Sequence, residues 1–92
     1  MSKVNETTIR EACNRLAEIL IAKNNDYGNS VEEQFDEYGP MSIAIRLDDK
    51  LRRFKNLTVK SQEQMVSSEK PIDTLLDTAG YSILGLICLD KE

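Results

Sequence analysis

The stretch from Pro71 to Leu89 is the most apolar part of the chain, and its apolar residues recur at helical rather than strand spacing. Any fold must therefore accommodate one long helix with a wide apolar arc, made of Ile72, Leu75, Leu76, Ala79, Ile83, Leu86 and Ile87. Asp73 and Asp77 stand one turn apart at the edge of that arc, where like charges repel and something must offset the cost. Three partners are open: a divalent cation, a basic side chain such as Arg46, Lys50 or Arg52, or the helix start itself, which Asp73 suits by standing in the first turn behind Pro71.

Three further helical patterns precede this segment. Glu6 to Lys23 places Ile9, Ala12, Cys13, Leu16, Ile19 and Leu20 on one face, with Asn5 or Thr7 as the N-cap. Lys23-Asn-Asn-Asp-Tyr-Gly-Asn-Ser30 then gathers turn formers and is expected to be a loop, in which Gly28 can take a positive φ and the asparagines tolerate one. Val31 to Tyr38 makes two helical turns capped by Ser30, with Val31, Phe35 and Tyr38 inward, and Gly39-Pro40 stops it. From Pro40 or Met41 to Leu57 a third helix packs Ile43, Ala44, Leu47, Leu51 and Phe54, turns Arg46, Asp49, Lys50 and Arg53 outward, and leaves Asp48 at the border. Residues 58–70 are polar and are expected to form a mobile connection. No strand-like alternation appears, so the expected fold is a single all-α domain over residues 1–92, a small bundle of about four helices. A core that small favours completion by a homo-oligomer, dimer or tetramer, against the wide arc of the last helix.

Charge and composition exclude several functions. Twelve basic residues against sixteen acidic ones give a net charge of −4, which argues against an extensive nucleic-acid or anionic-membrane surface but allows a local basic pocket. Histidine is absent, which removes Ser/His/Asp and Cys/His catalysis and most zinc sites. Cys13 and Cys88 lie in apolar helical stretches and are expected to be buried free thiols, which suits a reducing cytoplasm. The run Ser82 to Leu89 is too short to span a bilayer and no basic-then-apolar leader precedes the first helix, so a soluble protein is expected.

The candidate site residues fall in four groups, each with a plainer alternative. Asp73 and Asp77, joined by Asp48 from the facing helix, could hold a metal ion, whereas Asp48 with Arg52 and Asp49 with Arg53 also form ordinary ion pairs one turn apart. Arg46 and Lys50 are basic candidates for binding a substrate. Lys23 lies in line with the buried face of its helix and could neutralise phosphate oxygens or extend to solvent. Asn24, Asn25, Asp26 and Tyr27 carry the amides, carboxylate and ring suited to a nucleobase edge, or serve only as turn residues. Glu32, Glu33, Asp36 and Glu37 form either a solvated acidic face or a source of carboxylate ligands.

Three motifs in order carry a family resemblance: Lys23-Asn-Asn-Asp-Tyr-Gly, then Ile45-Arg-Leu-Asp-Asp-Lys-Leu-Arg-Arg, then Asp73-Thr-Leu-Leu-Asp-Thr-Ala-Gly-Tyr. Together they resemble the phage and bacterial group called nucleotide modification associated domain 1, which implies a nucleotide-related role in phages or prophages. More remotely, Leu75-Leu-Asp-Thr-Ala-Gly-Tyr is similar to the Glu-x-x-Asp helix of MazG-like all-α nucleoside triphosphate pyrophosphatases, whose acidic residues bind Mg²⁺ while water attacks the α,β-phosphate bridge. Asp77 matches that aspartate, but Thr74 stands in place of the glutamate. The resemblance carries over only Asp77 as a metal ligand; taken with the residues themselves, the expected protein binds a nucleotide and resembles a Mg²⁺-dependent pyrophosphohydrolase, with Asp48, Asp73 and Asp77 on the metal, Lys23, Asn24, Asn25, Asp26, Tyr27, Arg46 and Lys50 on the substrate, and Glu33 as base. The alternative is a nucleotide-binding protein that sequesters its ligand or docks on another enzyme without turnover.

Overall fold

In the computed structural model, the described residues are 2–27, 29–58 and 70–90. Four helices follow one another, α1 (Glu6–Tyr27), α2 (Ser30–Tyr38), α3 (Met41–Thr58) and α4 (Pro71–Asp90), and no strand occurs among the described residues. The fold is all-α. By compactness the chain divides into two units, Met1–Ser30 and Val31–Glu92.

The first unit is built on α1. Asn5 caps it: the Thr8 amide donates to Asn5 Oδ1 at 3.0 Å, and the Asn5 amide donates back to Thr8 Oγ1 at 3.0 Å. Two of the N-terminal amides that a helix leaves unpaired are satisfied in this way. The helix continues past Lys23 through Asn24, Asn25 and Asp26 to Tyr27, where the sequence pattern suggested a loop. Extending an existing helix by a residue needs no new nucleus, so turn-prone side chains lower its stability without stopping it. Reversal comes later, at Asn29, whose φ of 64° is left-handed and whose Oδ1 accepts from Asn24 Nδ2 at 2.7 Å. Gly28, the other expected site of a positive φ, lies outside the described residues. Cys13 is exposed, not buried as expected.

The second unit contains α2, α3 and α4. Phe35 of α2, Ile43 of α3 and Cys88 of α4 form its buried core, with Val31 and Leu47 packed against it. Tyr38, expected inward, is exposed. Gly39 ends α2 with a φ of 76°, and its amide donates to the Phe35 carbonyl at 2.7 Å. The chain then re-enters a helix at once, because the Pro40 carbonyl accepts from the amides of Ile43 at 3.0 Å and Ala44 at 3.2 Å. The expected connection at 58–70 falls almost wholly outside the described residues, apart from Thr58, which is helical, and Lys70, whose carbonyl accepts from Asp73 at 3.1 Å as α4 begins.

Packing of α3 on α4 dominates this unit, and it does not use the face that the sequence favoured. The inner side of α4 holds buried Thr74, Gly80, Gly85 and Cys88, with Asp77, Thr78, Tyr81 and Leu84 half-buried. Ile72, Leu75, Ile83, Leu86 and Ile87 instead remain between 39 and 56% exposed. On α3, Ile43 is buried and Arg46, Leu47, Lys50, Phe54 and Leu57 are half-buried, so Arg46 and Lys50 face inward rather than away, while Ala44 and Leu51 are exposed. The physical reason lies in those two cations. Turning the aliphatic arc of α4 toward α3 would strip water from Arg46 and Lys50 without giving them partners, whereas the observed face offers Asp77 and Tyr81. Gly85 completes the fit, since a Cβ there would lie only 3.0 Å from Ile43 Cγ2. Within α4, Thr78 Oγ1 donates to the Thr74 carbonyl at 2.8 Å and the exposed Ser82 Oγ to the Thr78 carbonyl at 3.0 Å.

Taken whole, α4 at 20 residues is long and apolar enough to cross a membrane by length and composition alone, although its run from Ser82 to Leu89 had suggested otherwise. Core helices of soluble proteins meet the same criterion.

Candidate functional site

A polar seam runs along the junction of α3 and α4. Lys50 Nζ lies 3.7 Å from Asp77 Oδ2, with side chains 16 and 30% exposed. One turn away on each helix, Arg46 Nη1 donates to the Tyr81 hydroxyl at 3.0 Å, and its Cζ stands 5.1 Å from the Tyr81 ring centroid. Arg46 Nη2 also donates to Gln34 Oε1 of α2. Positions 46 and 50 thus meet 81 and 77 in reverse order, which makes the two helices antiparallel and repeats polar pairs one turn apart.

The electrostatics follow from that pairing. Among the described residues, Lys50 meets Asp77 and Arg46 meets the neutral Tyr81 and Gln34. A chain with a net charge of −4 therefore brings two cations, Arg46 and Lys50, to one side of α3. The guanidinium is held by a ring and an amide, so part of its rotamer entropy is already lost before any ligand arrives. Phosphate and carboxylate groups are the ligands such a fork matches in shape and charge.

Of the residues expected to form a site, the structure joins Arg46, Lys50 and Asp77. Pairing of Asp77 with Lys50 is one of the plainer alternatives that the sequence left open. Asp48 pairs with Arg52 of its own helix at 3.0 Å, with the side chains 62 and 76% exposed, and does not join Asp77. Asp73 is exposed in the first turn of α4, where the helix dipole favours a carboxylate. Among the described residues, no group of three or more Asp, Glu or Cys side chains is gathered so as to hold a metal ion. Glu33 is exposed on α2, next in sequence to the Gln34 that touches Arg46. Lys23, Asn24, Asn25, Asp26 and Tyr27 all stand in the last turns of α1, in the first unit. Lys23, Asn25 and Asp26 are exposed there, and Asn24 is half-buried.

Two residues of the seam were missed in the sequence, Gln34 and Tyr81. For Tyr81 a signal existed, because it follows Asp77 by four residues and so shares its helical face. Nothing in its local pattern marks Gln34, which is brought to Arg46 by the Gly39-Pro40 turn between α2 and α3.

The described residues form an all-α fold with a polar seam between the antiparallel helices α3 and α4. The model of the family described as nucleotide modification associated domain 1 matches residues 23–89, and the chain belongs to that family. No curated protein and no solved structure matches the chain at a significant level.

Proposed function

We propose that the α3–α4 seam binds the phosphate groups of a nucleotide, with Arg46 and Lys50 as the cations that hold them. The observation that carries this reading is the meeting of two motifs, distant in sequence, in one cation-rich seam: Arg46 and Lys50 from one, Asp77 and Tyr81 from the other. The family description supports a nucleotide as the ligand. At 3.7 Å the Lys50–Asp77 contact is longer than a tight charge-assisted hydrogen bond, so the ammonium keeps donors for an incoming phosphate while staying beside Asp77.

Asp48, Asp73 and Asp77 do not form a ready-made metal cage in the described residues, and the fit to Mg²⁺ rests on Asp77 alone. Mg²⁺ needs only one or two protein carboxylates when substrate phosphates supply the other oxygens, and Asp77 is the carboxylate placed beside the proposed phosphate site. When bound, such an ion would polarise a phosphoryl oxygen and make a coordinated water more acidic. A second reading, a Mg²⁺-dependent nucleoside triphosphate pyrophosphohydrolase with Glu33 as base, is favoured by the match of Asp77 to the MazG-like aspartate. Binding without turnover is favoured by the absence of a gathered acidic cluster among the described residues. We infer a cytoplasmic setting in phage or prophage nucleotide metabolism from the family resemblance.

Incubating the protein with ribo- and deoxyribonucleoside triphosphates and Mg²⁺, while following both its thermal transition and the release of monophosphate, tests the proposal. Stabilisation that disappears in Arg46→Met supports the seam as the site. Monophosphate release abolished in Asp77→Asn establishes hydrolysis, and stabilisation without release establishes a binder. If no nucleotide shifts the transition, the proposal fails.

A further inference from the structure

We infer that Gln34 is a positioning residue for the phosphate site proposed above, on which this reading rests: its side-chain carbonyl orients the Arg46 guanidinium and, being neutral, leaves that charge to the ligand. Gln34 Oε1 accepts from Arg46 Nη2 while the Tyr81 hydroxyl accepts from Arg46 Nη1, so one fork is gripped from α2 and from α4 at once. All three residues belong to the unit Val31–Glu92.

Packing holds α2 where Gln34 can do this. Phe35, next in the chain, is buried with Ile43 and Cys88, and the Gly39-Pro40 turn joins α2 directly to α3. Ile43 and Arg46 stand three residues apart on α3 and share a face, which puts the guanidinium beside the contact that fixes α2. Gln34 itself is exposed and fills no part of that core. Its meeting with Arg46 is therefore set by contacts that do not depend on its own side chain.

The chemistry of this acceptor differs from that of other cation partners in the chain. Lys50, Arg52 and Arg10 each meet a carboxylate, from Asp77, Asp48 and Glu6. Arg46 meets an amide and a phenol instead. The amide stands in Glu32-Glu-Gln-Phe-Asp-Glu37, a stretch in which every other polar side chain is an acid. A glutamate at position 34 would have the same length and would give Arg46 a stronger, charge-assisted bond. It would also neutralise the fork and set a carboxylate against the oxygens of an arriving phosphate. A neutral acceptor fixes the fork yet leaves its positive charge and remaining N–H groups to an anion. Orienting the side chain beforehand raises affinity, because less freedom is lost when the ligand binds.

Calorimetric titration tests the role of Gln34, with circular dichroism and the thermal transition recorded for each variant. The probe is whichever common ribo- or deoxyribonucleoside triphosphate, with Mg²⁺, binds the wild-type protein most tightly. Gln34→Met removes the acceptor and should weaken binding roughly 2- to 10-fold, the cost of immobilising one long side chain on binding. Gln34→Glu should weaken it roughly tenfold or more in a protein at least as stable as Gln34→Met, because the new carboxylate holds the fork but competes for it. In an Arg46→Lys background, where no fork remains to be oriented, Gln34→Met should change affinity by less than about twofold. Wild-type affinity in both Gln34 variants, in a protein that Lys50→Met weakens, would overturn this inference and leave the phosphate site standing. So would an equal cost of Gln34→Met with and without the fork, or a Gln34→Glu protein that binds like the wild type. A wild-type protein that binds no triphosphate overturns the phosphate site and the role of Gln34 together.

Discussion

Gly85 is the point at which the packing of α3 on α4 can be tested most sharply, because its replacement by alanine sets two effects of known size against each other. Inside a helix, Gly→Ala favours the folded state by about 1 kcal/mol through backbone entropy. Against this, the new Cβ would lie 3.0 Å from Ile43 Cγ2 and 3.5 Å from Ile43 Cγ1. Carbon atoms prefer about 3.5–4.0 Å, so the shorter contact lies on the repulsive wall. Ile43 is β-branched and helical, which leaves it one strongly preferred rotamer, and it belongs to the buried core with Phe35 and Cys88. The helices must therefore move apart, and overpacking of this kind costs about 1–3 kcal/mol. The expected net effect of Gly85→Ala is a loss of about 1 kcal/mol, or roughly 4–8 °C in Tm for a domain of this size. Urea unfolding followed by far-UV circular dichroism measures it, at a single protein concentration so that any dimer contributes equally. The decisive comparison is the same substitution in Ile43→Leu, which lacks the Cγ2 branch at little change in volume. There Gly85→Ala should lose its penalty and become stabilising, with a coupling between the two sites of about 1–2 kcal/mol. If Gly85→Ala stabilises the Ile43 protein by the full propensity gain, the close approach of α3 and α4 is refuted.

Three smaller perturbations follow from the same structure. Gly39 has a φ of 76° and nothing within 4 Å of a Cβ placed on it, so Gly39→Ala should cost only backbone strain, about 1–2 kcal/mol in the same urea assay. A thiol reagent should label Cys13 rapidly in the native protein and reach Cys88 only as the protein unfolds, so that native protein shows one fast thiol per chain. Arg46→Lys keeps the charge but loses the fork that reaches both Tyr81 and Gln34, and should lower stability by about 1 kcal/mol; an unchanged transition would remove Arg46 as the organiser of the seam.

The helices themselves were legible because each carries its own signals. Asn5 caps α1, Gly39 and Pro40 separate α2 from α3, and Pro71 opens α4, all as the residue types suggest. The end of α1 was not, because Asn24 to Asp26 are weak helix formers rather than breakers, and only their attachment to an existing helix decides their state. The inner face of α4 was misread for a different reason. A helix that is apolar over much of its circumference gives no single preferred face, and the largest side chains are not necessarily the ones a neighbouring helix can accept. The deciding information lay in α3, where Ile43, Leu47, Lys50, Phe54 and Leu57 repeat at intervals of four and three and carry a cation into the stripe. The matching stripe on α4, Thr74, Asp77, Tyr81, Leu84 and Cys88, has the same alternation at intervals of three and four. Spacing on both helices, read together with the requirement that Lys50 and Arg46 find partners, would have selected it. Of the expected site residues, Lys50 and Asp77 lie on these stripes and Arg46 stands beside the stripe of α3, which is why the sequence pattern could bring them together. Asp48 takes the plainer of its two readings, pairing with Arg52 one turn along its own helix.

The central claim is that Lys50 and Arg46 hold nucleotide phosphates in the α3–α4 seam, and calorimetric titration of a nucleoside triphosphate into wild-type protein and Lys50→Met tests it most directly. The Lys50–Asp77 pair is mostly buried, so Lys50→Met takes a partner from Asp77 and should lower stability by about 1–3 kcal/mol, and the titration is made where the variant is still folded. Loss of one charged hydrogen bond to phosphate, about 1.5–3 kcal/mol, predicts an affinity roughly 10 to 100 times weaker in the variant. An affinity equal to that of the wild type, in a variant with an unchanged circular dichroism spectrum, would contradict the account.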